Sequence, residues 1–269
     1  MKKINLLFAL TFIASCVFAQ EGLVSKKGEP ILPEKGDWSI SIDATPFLKY
    51  AGNFIGSNGL NTAPSFDFLS GNQTILGKYY IDQSKAYRVG LRLGLGSNST
   101  TNSVYAIPST SPTTFVDDVS KRSFTNIGLT AGMEWRKGKT RLQGFYGAEA
   151  GLSLSSTNTS TIYGNRLSVA NQGTRIIESN SGVGFGFGLR AFIGAEYFIF
   201  PKIAIGGEFG WGLALRTTGE STFKIESWNT NLVTTSTVPN GGSSSFSVDS
   251  ENLSSIFGPA GTIRLTLHF

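Results

Sequence analysis

The chain holds one cysteine, one histidine and two methionines in 269 residues. So few soft ligands exclude a disulfide framework and a Cys- or His-rich metal centre. Charge is also scarce: 15% of the residues are Asp, Glu, Lys or Arg, against about 25% in an ordinary soluble domain. The formal excess of +5 includes Lys2 and Lys3 at the N-terminus, and no basic run follows them. Nucleic acid is therefore not an expected partner. Beyond residue 20 there is no charge-free apolar run of about 18 residues, so no transmembrane helix is expected. Helical periodicity is missing too. Glycine, at 33 residues, is plentiful, and aromatics make 12% of the chain. With ample Val, Ile and Leu, they exclude intrinsic disorder.

Met1-Lys2-Lys3, the apolar stretch 4–13 and Val17-Phe18-Ala19 before Gln20 have the layout of a cleaved signal peptide. The apolar stretch is too short for a membrane anchor. Ile13-Ala14-Ser15-Cys16 also resembles a bacterial lipobox, with Cys16 as the lipidated residue. The apolar residues after it fit cleavage behind Ala19 better. The expected divisions are a signal peptide over 1–19, a periplasmic segment over 20–36 and a β domain over 37–269.

Period-two alternation recurs along that domain, the mark of strands with two unlike faces. Ile263, Leu265, Leu267 and Phe269 alternate with Thr262, Arg264, Thr266 and His268. Similar alternation runs through 37–50, 73–81, 87–96, 126–135, 141–154, 183–197 and 203–216. This gives eight expected strands, most of them long. Three short connections, 82–85, 137–140 and 198–201, alternate with four long ones, 51–72, 98–122, 155–181 and 217–254. Ser, Thr and Asn supply 20 of the 38 residues in 217–254 and 14 of the 27 in 155–181. The pattern predicts an all-β fold. Its form is an eight-stranded antiparallel up-and-down transmembrane β-barrel, with four long extracellular loops and short periplasmic turns.

The polar faces decide which way the barrel points. They carry glycine together with Arg88, Arg92, Glu134, Arg141, Glu149, Arg190, Glu196, Glu208 and Arg264. A charge facing lipid near the midplane costs a few kcal/mol, and glycine suits the narrow inside of a small barrel. These nine residues are expected to form a paired network that blocks the lumen, with Arg190 beside Glu208 and Glu134 beside Arg141. Aromatics should mark two membrane interfaces. Trp38, Tyr79, Tyr87, Trp135, Tyr197 and Phe269 fall near the short turns, and Tyr50, Phe185 and Trp211 near the loops.

The signal-like start ending Val17-Phe18-Ala19-Gln20, the opening Gly36-Asp37-Trp38-Ser39-Ile40-Ser41-Ile42, the alternating strands and Phe269 together resemble a known group. It is the small outer-membrane β-barrel proteins of Gram-negative bacteria, in the style of Bacteroidota. The barrel resembles the OmpA-type transmembrane domain over about residues 36–269. The resemblance implies that Ile263, Leu265, Leu267 and Phe269 form the signal read by the barrel-assembly machinery. It implies outer-membrane lipids and lipopolysaccharide as surroundings, and an extracellular ligand or host surface as a candidate partner. The peptidoglycan-binding domain of full OmpA proteins has no counterpart after the barrel, so wall anchoring is not carried over.

Enzymatic outer-membrane barrels resemble one another in needing a histidine beside Ser, Asp or Glu to move protons. Here His268 is the single histidine, expected as a partly exposed residue at the rim. The alternating Gly182, Gly184, Gly186 and Gly188 lack the strand–turn–helix setting of a phosphate loop. Asp117-Asp118 and Asp249 with Glu251 match no calcium-loop spacing. The expectation is a non-enzymatic barrel with no metal or cofactor, serving membrane integrity and surface contact. The rival is a channel or transporter for small solutes or hydrophobic compounds. A soluble exported β protein would need the apolar stripes to point inward.

Overall fold

The computed structural model describes residues 23–44, 48, 75–108, 114–249, 256 and 261–269. Signal-peptide residues 1–19, Tyr50, loop 51–72 and Glu251 lie outside the described residues. Twelve strands are described, not eight. They are β1 (Trp38–Asp43), β2 (Ile75–Asp82), β3 (Lys85–Tyr105), β4 (Phe115–Lys137), β5 (Leu142–Ile162) and β6 (Thr174–Asn180). Then follow β7 (Gly184–Phe200), β8 (Ile203–Thr218), β9 (Ser221–Asn229), β10 (Leu232–Asn240), β11 (Ser243–Asp249) and β12 (Gly261–His268). All pairings are antiparallel.

The pairings form a closed cycle. β1 joins β2, then β3, β4, β5, β7, β8 and β12 follow, and β12 returns to β1. At the seam Ile40 lies opposite Leu267, and the hydroxyls of Ser41 and Thr266 meet at 2.8 Å. Closure leaves no raw sheet edge along this ring.

The four remaining strands correct the expected loops. β3, β4 and β5 run 21 to 23 residues and rise beyond the ring, so most of 98–122 is hairpin wall. β6 adds to the upper edge of β5 through Ser160↔Glu178, and β9 and β10 follow it. β11 takes the upper edge of β8, with Phe246 opposite Leu215, while β12 takes the lower edge. Within 155–181 and 221–240, β6, β9 and β10 thus build a projecting sheet on the upper part of β5. The residues of β10 are exposed on both faces and those of β9 are almost evenly half-buried, so neither strand shows alternation, although Thr and Val favour strands. The wall is uneven: β1, β2 and β12 have only 6 to 8 residues.

The faces sort as the alternation requires. On β3, Val89, Leu91, Leu93 and Leu95 are exposed on the outside, while Arg88 and Arg92 are buried inside. Leu129, Leu152, Leu189 and Trp211 continue the outer apolar surface. The interior is too narrow for large residues everywhere. A Cβ on Gly210 would come within 1.7 Å of Arg190 Nε, and one on Gly147 within 2.4 Å of Phe192 Cζ. Glycine on one strand makes the space that a guanidinium or a ring from the next strand occupies.

A charge network that fills the lumen

Four glutamates and four cations interlock inside the ring. In the lower tier, nearer the short turns, Lys78 Nζ lies 2.9 Å from Glu134 and 3.8 Å from Glu196. Arg136 binds Glu134 at 2.7 Å, and also pairs with Glu196. It donates to Gln143 Oε1 at 3.0 and 2.9 Å. In the upper tier Arg190 Nη1 is 2.8 Å from both Glu149 and Glu208. Arg88 joins the tiers. It donates twice to Glu208, at 2.8 and 3.1 Å, and reaches Glu149 at 3.1 Å and Glu134 at 3.4 Å. The paired fork geometry is one that a lysine does not offer.

Two rings pack among the charges. The Arg88 guanidinium sits 3.8 Å from the centre of the Phe192 ring, and Lys78 Nζ sits 4.9 Å from that of Phe145. These faces shed water and attract the cations through the ring quadrupole. Removing water makes the ion pairs stronger, and makes any unpaired member costly.

The structure places the expected residues as follows. Arg88, Glu134, Glu149, Arg190, Glu196 and Glu208 meet in the network. Arg264 lies directly opposite Asp43 in the β1–β12 register, and Arg92 is buried above the upper tier. Arg141 is a correction. It lies at the turn end and donates to the carbonyls of Phe198 and Ile199 at 3.0 and 3.1 Å, so Glu134 takes Lys78, Arg88 and Arg136 instead. Lys78, Arg136, Phe145 and Phe192 were missed. Each shares the parity of a charged or polar inward neighbour, which is the signal that could have found them.

His268 is a second correction, since it is buried rather than partly exposed. Its ring lies 5.5 Å from Tyr80 and 5.2 Å from Phe198. Below it the N-terminal segment closes the short-turn mouth. Ile31 packs with Phe198 and Ala204, Gly36 N–H donates to the Tyr80 carbonyl at 2.9 Å, and Lys202 pairs with Asp37. Residues 23–36 are therefore a stopper.

On the outside, the Trp38 ring meets that of Tyr79 at 4.8 Å in a tilted arrangement, and Trp135 stacks on Tyr146 at 5.9 Å. Tyr87 faces Tyr79, and Tyr197 faces Leu142. Phe185, Trp211 and Phe269 are exposed, as are Ile263 and Leu267; Leu265 is half-buried. Gly182 precedes β7 at a φ of 71° and is not in the strand, a correction to the expected alternating run. Asp117 accepts from Ser103 Oγ at 2.6 Å and Asp118 from Gly164 N–H at 2.8 Å. Among the described residues no group of three or more His, Cys, Asp or Glu side chains is arranged to hold a metal.

No family model matches this chain, and no curated protein is similar to it. Among solved structures it is similar to the outer membrane protein OprG from Pseudomonas aeruginosa, with 11% identity and a TM-score of 0.29. The alignment covers 88% of this chain and 98% of that one.

Proposed function

We propose that this protein is an integral outer-membrane β-barrel, non-enzymatic, with a structural and surface-contact role and a lumen closed by ion pairs. One observation carries the reading: the molecule is inside out. Arg88 and Glu134 have side chains 1% and 0% exposed, while Leu93, Leu129, Trp211 and many similar residues are about half exposed on the outer wall. A soluble barrel would leave that apolar band in water, far beyond the patch size such proteins tolerate. A hydrocarbon environment makes it favourable, and a closed ring satisfies the backbone there. The projecting sheet of β6, β9 and β10 then stands in the extracellular medium, where a surface ligand or host molecule would meet it. A cleaved leader over 1–19 and assembly through the terminal strand of β12 complete the proposal. The outer membrane of a Gram-negative, Bacteroidota-like cell is its setting.

A channel is the second reading, favoured by a cavity of about 540 Å³ in the upper lumen. Single-barrel conductance in planar bilayers separates the two. The wild type is expected to stay closed. Paired Arg88→Ala and Glu134→Ala substitutions, in a chain also lacking residues 23–36, are expected to open a steady current. A large, steady wild-type conductance would overturn the closed lumen and favour the channel. Heat-modifiable gel migration of detergent-extracted protein tests the membrane assignment, and recovery of folded protein without detergent would sink it.

A further inference from the structure

Above the network, the cavity of about 540 Å³ is walled by Arg92, Arg122 and Arg216 among Ser, Thr, Asn and Gly side chains. Its size is within the range of small-molecule sites. Among the described lining residues there is no carboxylate. The tiers below are built otherwise. There Arg88 meets three glutamates, and Arg136 and Arg190 meet two each. Arg122 lies on β4 between Asn98 and Thr159. Arg216 lies on β8 and donates to Ser155 Oγ at 3.2 Å, a neutral partner that orients the guanidinium without neutralising it. Gly184 keeps this corner open, since a Cβ there would come within 2.7 Å of Ser155 Oγ.

Like charges lining one cleft focus a positive potential and concentrate anions, even where, as at Arg122 and Arg216, the side chains reach solvent. Guanidinium groups bind planar and tetrahedral oxyanions through paired donors. Phosphate is the group that best answers several arginines and hydroxyl donors at once. We infer that this vestibule is a binding site for a phosphate-bearing solute, with Arg122 and Arg216 as the contacting cations. The ion-paired layer seals the floor, so the anion is captured rather than passed. The site lies inside the tube and does not depend on what surrounds the outer wall.

Isothermal titration calorimetry on the full chain, folded in a neutral maltoside detergent, tests this. The probes are inorganic phosphate, a hexose monophosphate, the free hexose and dihexanoyl phosphatidic acid. Phosphate-bearing probes are expected to bind, and the free hexose is not. Affinity should fall with added sodium chloride. The Arg122→Gln, Arg216→Gln double variant should bind at least tenfold more weakly while keeping its heat-modifiable gel shift. Tighter binding of the phosphatidic acid than of the hexose monophosphate assigns a lipid headgroup as the source, and the reverse assigns a free phosphate. No binding by either, equal binding of the free hexose, or undiminished affinity in the folded double variant overturns the site.

Discussion

Arginine lines both storeys of the lumen, and its surroundings differ completely. In the lower storey Arg88, Arg136 and Arg190 are locked to glutamates from neighbouring and opposite strands. In the upper storey Arg122 and Arg216 face a cavity whose described walls carry hydroxyls and amides. The difference teaches that the same side chain on the same face serves two ends. Where carboxylates meet it, the charge becomes internal mortar. Where they do not, the charge stays on offer to a ligand.

The comparison breaks most visibly at Arg88. Replacing it with Met removes the one cation common to Glu134, Glu149 and Glu208, and leaves Arg190 to hold the last two and Lys78 and Arg136 to hold the first. Loss of one member of a buried pair typically costs about 3–5 kcal/mol, so urea unfolding in lipid vesicles should show a shift of that order. Arg88→Lys should recover part of it, because the charge returns without the fork. Next comes the outer wall. Leu129→Arg puts a charge where the apolar band is exposed, and lipid should penalise it by about 2–4 kcal/mol if it lies near the midplane. The same unfolding assay measures it, and no cost would argue that water bathes this face. Gly210→Ala is a smaller, steric probe. The new methyl displaces the Arg190 head group, an overpacking worth about 1–3 kcal/mol. Arg122→Gln should be the mildest, within about 0.5 kcal/mol of wild type, because the side chain is exposed and unlocked. A large loss there would show that the upper storey is also held by its charges.

Much of the ring was legible because the alternation is strict. Once Leu91 faced one way, Arg88 and Arg92 had to face the other. Hydrophobicity misled where an aromatic serves a cation. Phe145 and Phe192 look like lipid-facing residues, and only their parity places them under Lys78 and Arg88. Arg141 shows the opposite failure. It shares the inward parity of Gln143, but at the strand's start its long side chain turns to backbone carbonyls. The projecting strands carry little strand signal in the sequence, because that signal is a difference between two faces. Both faces of β10 are exposed, so no contrast was written into Leu232–Asn240.

The seam between β1 and β12 has a consequence for how the barrel is made. Ser41 and Thr266 touch although 225 residues separate them. The ring therefore has no partial credit: until β12 arrives, β1 and β8 each present an unsatisfied row of amides and carbonyls. Such rows recruit other chains, and contacts so distant along the chain form slowly. The stitch that finishes the wall is therefore also the step that removes the chain's two templates for aggregation.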